Sequence, residues 1–262
     1  MVTISSEILQ AWVSGLLWPL TRILGMIAIT PVFNHRAMPA RYKVGLGVFI
    51  TLAIMPSLPP MPQVDMLSVH GAGILAQQLL IGVTIGFMIR IVFAAVDLAG
   101  QLSAMSMGLG FATFYDPQSH GQTTSVSQLF MIVAMLFFLS INGHLIMIMS
   151  VAESFITMPI QAELSNDINF QQILNFGGNI FSTGLHIALP VIAALLITNL
   201  SLGILSRTAP QLNLFGIGFP ITISIGLIII ALSFPRLAVP LERLMSEGFS
   251  NITLLMTTGD RR

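Results

Sequence analysis

Residues 74–96 read ILAQQLLIGVTIGFMIRIVFAAV, an apolar run of helical length in which Arg90 is the sole charge. Working outward, similar runs cover about residues 8–33, 44–55, 126–149, 180–206 and 221–234, separated by segments rich in proline, asparagine and glycine. The expected fold is all-α: a multi-helix protein of the integral-membrane type with broken helices and helical hairpins. Counting runs suggests six membrane spans. Within residues 74–96 and just beyond, Gly82, Gly86, Arg90 and Asp97 follow one another at steps of four, four and seven, which reads as one helical face, with Ala94 and Gln101 nearby. Gly82 and Gly86 let a neighbouring backbone approach closely. Arg90, left at a bilayer centre, would cost about 2.5–3.5 kcal/mol, so this face is expected in a helix–helix seam with Arg90 at its wet end.

Composition points the same way. The chain has 262 residues, 55% hydrophobic and only 8% charged, against roughly 25% charged in an ordinary soluble domain. Ten acids and ten bases are too few to cover a soluble sphere of this size, so most of the exterior must face lipid or other protein. A net charge of zero supplies no basic field for nucleic acid. The absence of cysteine excludes disulfides, thiol nucleophiles and thiolate metal sites. Residues 1–7 hold an acid and no Lys or Arg, so the apolar run after them reads as a retained helix rather than a cleavable signal.

A plain six-span topology meets two conflicts. Residues 44–55 are twelve before Pro56 and residues 221–234 fourteen between Pro220 and Pro235, or roughly 18–21 Å against a hydrocarbon core of about 30 Å. The positive-inside rule puts Arg36, Arg41, Lys43 and Arg207 on the cytoplasmic side and the segment with Glu163 and Asp167 outside. Six spans would then place Arg236, Arg243, Arg261 and Arg262 outside, against their charge.

Arg22 lies inside the first run beside Thr21, Gly25 and Ala28, and is expected to pair with an acid such as Asp97 or with backbone carbonyls. From Leu241 onward, Leu244, Met245, Phe249, Ile252, Leu255 and Met256 recur at helical spacing opposite Glu242, Arg243, Ser246, Glu247 and Asn251. This is an amphipathic helix, and since its polar face lacks the basic excess of a membrane-surface helix, a partner is expected on its apolar stripe.

Enzymatic signatures are missing. Lys43, the single lysine, is followed by Val44, so there is no P-loop, and neither HExxH nor Gly-x-Ser-x-Gly occurs. The histidines, His35, His70, His120, His144 and His186, include no pair at the spacing of a helical metal site, and no cofactor is expected. His144 follows Asn142-Gly143 in an apolar run; a proton relay and a hydrogen bond across a helix interface are the two readings, the second stronger because no acid lies within a helical turn.

Two interruptions stand out. In residues 108–121 Gly108, Gly110, Gly121 and Pro117 defeat regular helix, while Phe111, Phe114 and Tyr115 beside Asp116 keep the segment apolar. Non-helical backbone at membrane depth survives only buried in protein or lining a cavity, so this loop is a candidate to obstruct a passage, with packing at a subunit interface as the alternative. The second break runs from Arg207 through Pro210, Asn213, Gly216 and Gly218 to Pro220 and is expected to join two helices as a tight hairpin.

The motifs at residues 107–117 (MGLGFATFYDP), 142–145 (NGHL) and 209–220 (APQLNLFGIGFP), with Thr30-Pro31-Val32-Phe33 and the basic connector after it, resemble in order and spacing those of the FliR/SctT family of flagellar and injectisome export-gate proteins. The resemblance covers nearly the whole chain, as one domain over residues 1–262. It implies helices like those of FliP over about residues 1–165, including the loop, and a hairpin like FliQ plus the amphipathic tail over about 166–262. It further implies a channel core with FliP and FliQ, FlhB associated, one copy of this chain per gate, unfolded export substrates passing through and lipid around. The place implied is the bacterial inner membrane at the flagellar basal body, much of the core lying above the membrane plane toward the periplasm, with loop 108–121 plugging the pore. The competing class is a secondary transporter, which usually shows matching interruptions in two halves; the two breaks here are dissimilar.

Overall fold

The computed structural model describes residues 6–34, 37–59, 61–62, 64–65, 68–109, 124–161, 170–209 and 214–257. Among them the chain forms α1 (Ser6–Ile29), α2 (Ala40–Ile54) with a 3₁₀ turn at Met55–Ser57, α3 (Val69–Ser106), α4 (Ser125–Ser140), α5 (Gly143–Thr157), α6 (Phe170–Thr208) and α7 (Leu214–Thr257), and no strand. The all-α expectation is borne out.

Several boundaries correct the sequence reading. The run at 221–234 is not a short helix: α7 carries 44 residues straight through Pro220, Pro235 and Pro240, about 66 Å of helix. Each proline removes one backbone bond, but in an apolar setting hydroxyls and neighbouring helices re-satisfy the freed groups. The run at 126–149 is two helices, broken where Asn142 takes a left-handed conformation with φ 56°. Asparagine tolerates that conformation better than most residues, and His144 consequently sits in the first turn of α5 rather than inside a longer helix. Among the described residues three helices, α3, α6 and α7, are long and apolar enough to cross a membrane, or four if α4 and α5 make one broken span, where counting runs suggested six.

Two compact units divide the chain. The first comprises Met1–Ile91, Asn142–Phe176 and Ser246–Arg262. Here α1 and α3 meet at glycines. A methyl group on Gly82 would lie 1.9 Å from the Arg22 carbonyl oxygen, one on Gly86 2.8 Å from that of Met26, and one on Gly25 2.9 Å from that of Leu79. Only hydrogen fits at such crossings. Arg90 does not share this seam and is exposed, contrary to the single-face expectation. Each step of four residues overshoots a 3.6-residue turn by about 40°, so two steps rotate Arg90 roughly 80° away from Gly82.

The second unit comprises Val92–Ile141 and Gly177–Met245. Phe93 of α3 meets Phe138 of α4 with ring centroids 5.7 Å apart, and Phe130 of α4 meets Phe234 of α7 at 6.2 Å. A methyl on Gly184 of α6 would lie 2.9 Å from the Ala95 carbonyl of α3. Outward, Phe181, Leu196 and Leu200 of α6 and Leu232 and Val239 of α7 are exposed, the apolar exterior that so low a charged fraction requires.

The tail stripe is also corrected. Leu244, Met245, Ile252 and Leu255 are buried within this chain, so the core rather than a partner covers them. The polar face of the same helix reaches back to α6 through Gln172, whose Nε2 donates to Asn251 Oδ1 at 3.4 Å.

Candidate functional site: a loop rooted at both ends and a caged arginine

Of the loop at 108–121, Gly108 is described and Gly110, Phe111, Phe114, Tyr115, Asp116, Pro117 and Gly121 lie outside the described residues. Both roots of the loop belong to the second unit and are fastened there. At the first root α3 ends in a left-handed glycine: Gly108 has φ 85°, its N–H donates to the Met105 carbonyl at 3.0 Å, and the Met107 N–H donates to Ser103 at 3.1 Å. A side chain at Gly108 would be strained whatever the space around it. Helix α7 grips this end. Thr222 Oγ1 donates to the Met107 carbonyl at 3.1 Å, taking up an acceptor that the helix end leaves without an intrahelical donor. Gly226 makes room for the buried Met107 side chain, since a methyl there would fall 2.5 Å from Met107 Cγ.

At the second root Thr124 caps α4, its side chain accepting from the Ser127 N–H at 3.2 Å. Ser127 ties the cap to α3: its hydroxyl approaches the Asp97 carboxylate and lies 2.9 Å from the Asp97 carbonyl oxygen. Gly100 permits that contact, a methyl there falling 2.4 Å from Ser127 Cα. Gln101 Nε2 donates to the other Asp97 oxygen at 2.9 Å. Asp97 therefore serves the loop root and is not the partner of Arg22. Chemically, this arrangement holds two ends of a glycine- and aromatic-rich segment on packed helices, with no metal cluster of His, Cys, Asp or Glu among the described residues.

Arg22, in the first unit, is fully buried and satisfied without a carboxylate. Its Nε donates to Gln78 Oε1 at 2.8 Å, one terminal nitrogen to the Ser154 carbonyl at 2.7 Å and the Ser154 hydroxyl at 3.0 Å, and the other to the Met158 carbonyl at 2.8 Å. Phe155 lies under the guanidinium, 4.1 Å from its ring centroid. Ser154 and Met158 form the C-terminal end of α5, where unpaired carbonyls and the helix dipole favour a cation. The carbonyl alternative of the sequence reading is the one realised.

The remaining candidates are dispersed. Asn142 is exposed at the break and His144 half-buried beside it. Arg207 lies in the last turn of α6; Pro210 and Asn213 fall outside the described residues; Gly216, Gly218 and Pro220 are already inside α7 and not in the break. Sequence reasoning missed Gly100, Gly226, Ser127 and Thr222 at the contacts around the loop, Gly184 at the α3–α6 crossing, and Gln78 and Ser154 around Arg22. Their only signal was a small or polar residue in an apolar helix.

These features define an all-helical protein of the membrane type, and residues 13–248 match the bacterial export proteins, family 1, to which the chain belongs. The resemblance to FliR proteins is borne out by full-length relatives. The flagellar biosynthetic protein FliR of Pectobacterium carotovorum subsp. carotovorum is 44% identical over 98% of both chains. That of Escherichia coli K12 is 41% identical over 95% of each, and that of Bacillus subtilis 168 is 28% identical over 90% of this chain and 93% of the other.

Proposed function

We propose that this chain is a structural and gating subunit of the flagellar protein export gate. In this reading one copy joins FliP and FliQ in the channel core, with FlhB associated, in the inner membrane at the flagellar basal body, the core displaced toward the periplasmic side. The observation that carries it is the near full-length similarity to proteins named for flagellar biosynthesis within an export family. The part up to about residue 165 acts as the FliP-like portion and the remainder as the FliQ-like hairpin and tail.

The mechanism is occlusion and release rather than catalysis. Loop 108–121 plugs the closed passage, Phe111, Phe114 and Tyr115 forming the seal and Gly108, Gly110 and Gly121 the hinges; unfolded substrates displace it. Rigid roots suit this task, because a plug moves reproducibly only about fixed ends. The fastening of Met107 by Thr222 and of Thr124 and Ser127 beside Asp97 supports the assignment.

Native mass spectrometry of the tagged chain, alone and with FliP and FliQ, tests the subunit reading: one copy amid several partner copies supports it, whereas a partner-free monomer or homodimer in both samples overturns it in favour of a solute transporter. Deleting residues 110–121 tests the plug. Ion leakage through the assembled gate rises if the loop seals it; an unchanged leak removes that role.

A further inference from the structure

Arg90 is the only charged residue between Gln78 and Asp97 in α3, and it is exposed. Among the described residues it has no hydrogen-bond, ion-pair or ring partner, in contrast to the four donor contacts of Arg22. Leu80 and Phe87 are exposed at 53% and 42%, and Val83 between them is partly open. Leu80, Val83, Phe87 and Arg90 step by three, four and three, the spacing at which one helix offers a continuous stripe to another.

A guanidinium in such a stripe needs a counter-charge at its own depth, because an ionised group in apolar surroundings is costly until paired. The lipid headgroup layer is the less suitable source. Asp97, the nearest polar end of the stretch, lies seven residues and about 10 Å along the axis, and helical side chains lean toward the helix N-terminus, away from it. A carboxylate carried by a neighbouring helix meets both the charge and the apolar stripe.

We propose that Leu80, Val83, Phe87 and Arg90 form a docking face for an apolar helix of a neighbouring subunit that presents an Asp or Glu to Arg90. The proposal rests on the reading of the chain as a gate subunit. Its test starts from the tagged chain co-expressed with FliP and FliQ, the recovered complex being quantified by native mass spectrometry and the membrane level of the chain by immunoblot.

Arg90→Gln and Arg90→Glu lower the recovered complex about tenfold or more, Arg90→Lys retains most of it, and the membrane level is unchanged because Arg90 supports nothing within its own chain. Scanning the Asp and Glu residues in apolar segments of FliP and FliQ by substitution to Arg identifies one that restores assembly with Arg90→Glu. Full recovery with Arg90→Gln overturns the proposal, as does a loss that no such swap restores. An intact complex that has shed anionic phospholipid assigns Arg90 to a headgroup instead and overturns it too. If the wild-type chain recovers no FliP or FliQ, the gate reading fails and the docking face falls with it; failure confined to the variants removes the docking face alone.

Discussion

Replacing Arg22 by methionine removes the cation that binds the end of α5 to α1 and α3 while keeping a side chain of similar length. Four hydrogen bonds disappear. The Ser154 carbonyl still accepts from the Met158 N–H at 2.9 Å and the Ser154 hydroxyl still donates to Val151 at 2.6 Å, so neither is orphaned. Among the described residues, the acceptors left without another donor are Gln78 Oε1 and the Met158 carbonyl. A buried acceptor without a donor costs about 1–3 kcal/mol, giving roughly 2–6 kcal/mol for the pair. Relief from burying a charge offsets part of this, and a net loss of about 2–4 kcal/mol is expected. The chain has no cysteine, so a single cysteine at Met88, buried on α3, reports opening through its rate of maleimide labelling in detergent across a denaturant series. The Arg22→Met midpoint falls by the corresponding amount, and Arg22→Lys, whose ammonium reaches fewer of these acceptors, falls by about half as much. A methionine variant within 0.5 kcal/mol of the parent, roughly a twofold change in equilibrium constant, refutes the idea that this cage holds α5 in place.

Gly82→Ala and Gly203→Ala are expected to act in opposite directions under the same assay, with the reporter cysteine placed in the unit being tested. The first forces the α1–α3 crossing apart, since its methyl would fall 1.9 Å from the Arg22 carbonyl, and costs about 1–3 kcal/mol. The second meets nothing within 4 Å and stabilises α6 by roughly 0.5–1 kcal/mol; equal effects from the two would contradict the packing described. Thr222→Val deletes the hydroxyl at the Met107 carbonyl and weakens the first loop root by about 1 kcal/mol, read as faster amide exchange at Met107 and Gly108 with the rest of α3 unchanged. Uniform exchange along α3 would show that Thr222 does not hold this end. Gly226→Leu collides with the Met107 side chain and raises the ion leak of the assembled gate in proportion to the disturbance of the root; a leak no larger than that of the parent separates this contact from gating.

Helical runs, low charge, the absence of catalytic motifs and the three family motifs were all legible in the sequence, because burial class and helix length are written locally in side-chain chemistry. Arg22 was legible as a residue needing a partner. The partner was not, since Gln78 and the end of α5 lie 56 and 132 residues along the chain and are brought to it only by packing. The helix limits were misjudged where proline and glycine were read as breaks: Gly216, Gly218 and Pro220 lie inside α7, while Asn142 alone splits the run at 126–149. A propensity of a kilocalorie or so per residue is easily overridden by tertiary contacts and by the penalty for unpaired backbone away from water.

The sequence by itself determined that this is a helical, apolar member of an export family with an unusual glycine-aromatic loop. Only the tertiary structure decided which glycines are crossings, that Asp97 belongs to the loop root rather than to Arg22, and that Arg90 faces outward while Gly82 faces in. The reason is geometric. A step of four residues nearly repeats a helical face but drifts by about 40° each time, so spacing names the neighbours on one helix, while the surface each of them meets is set by the helices that pack against it.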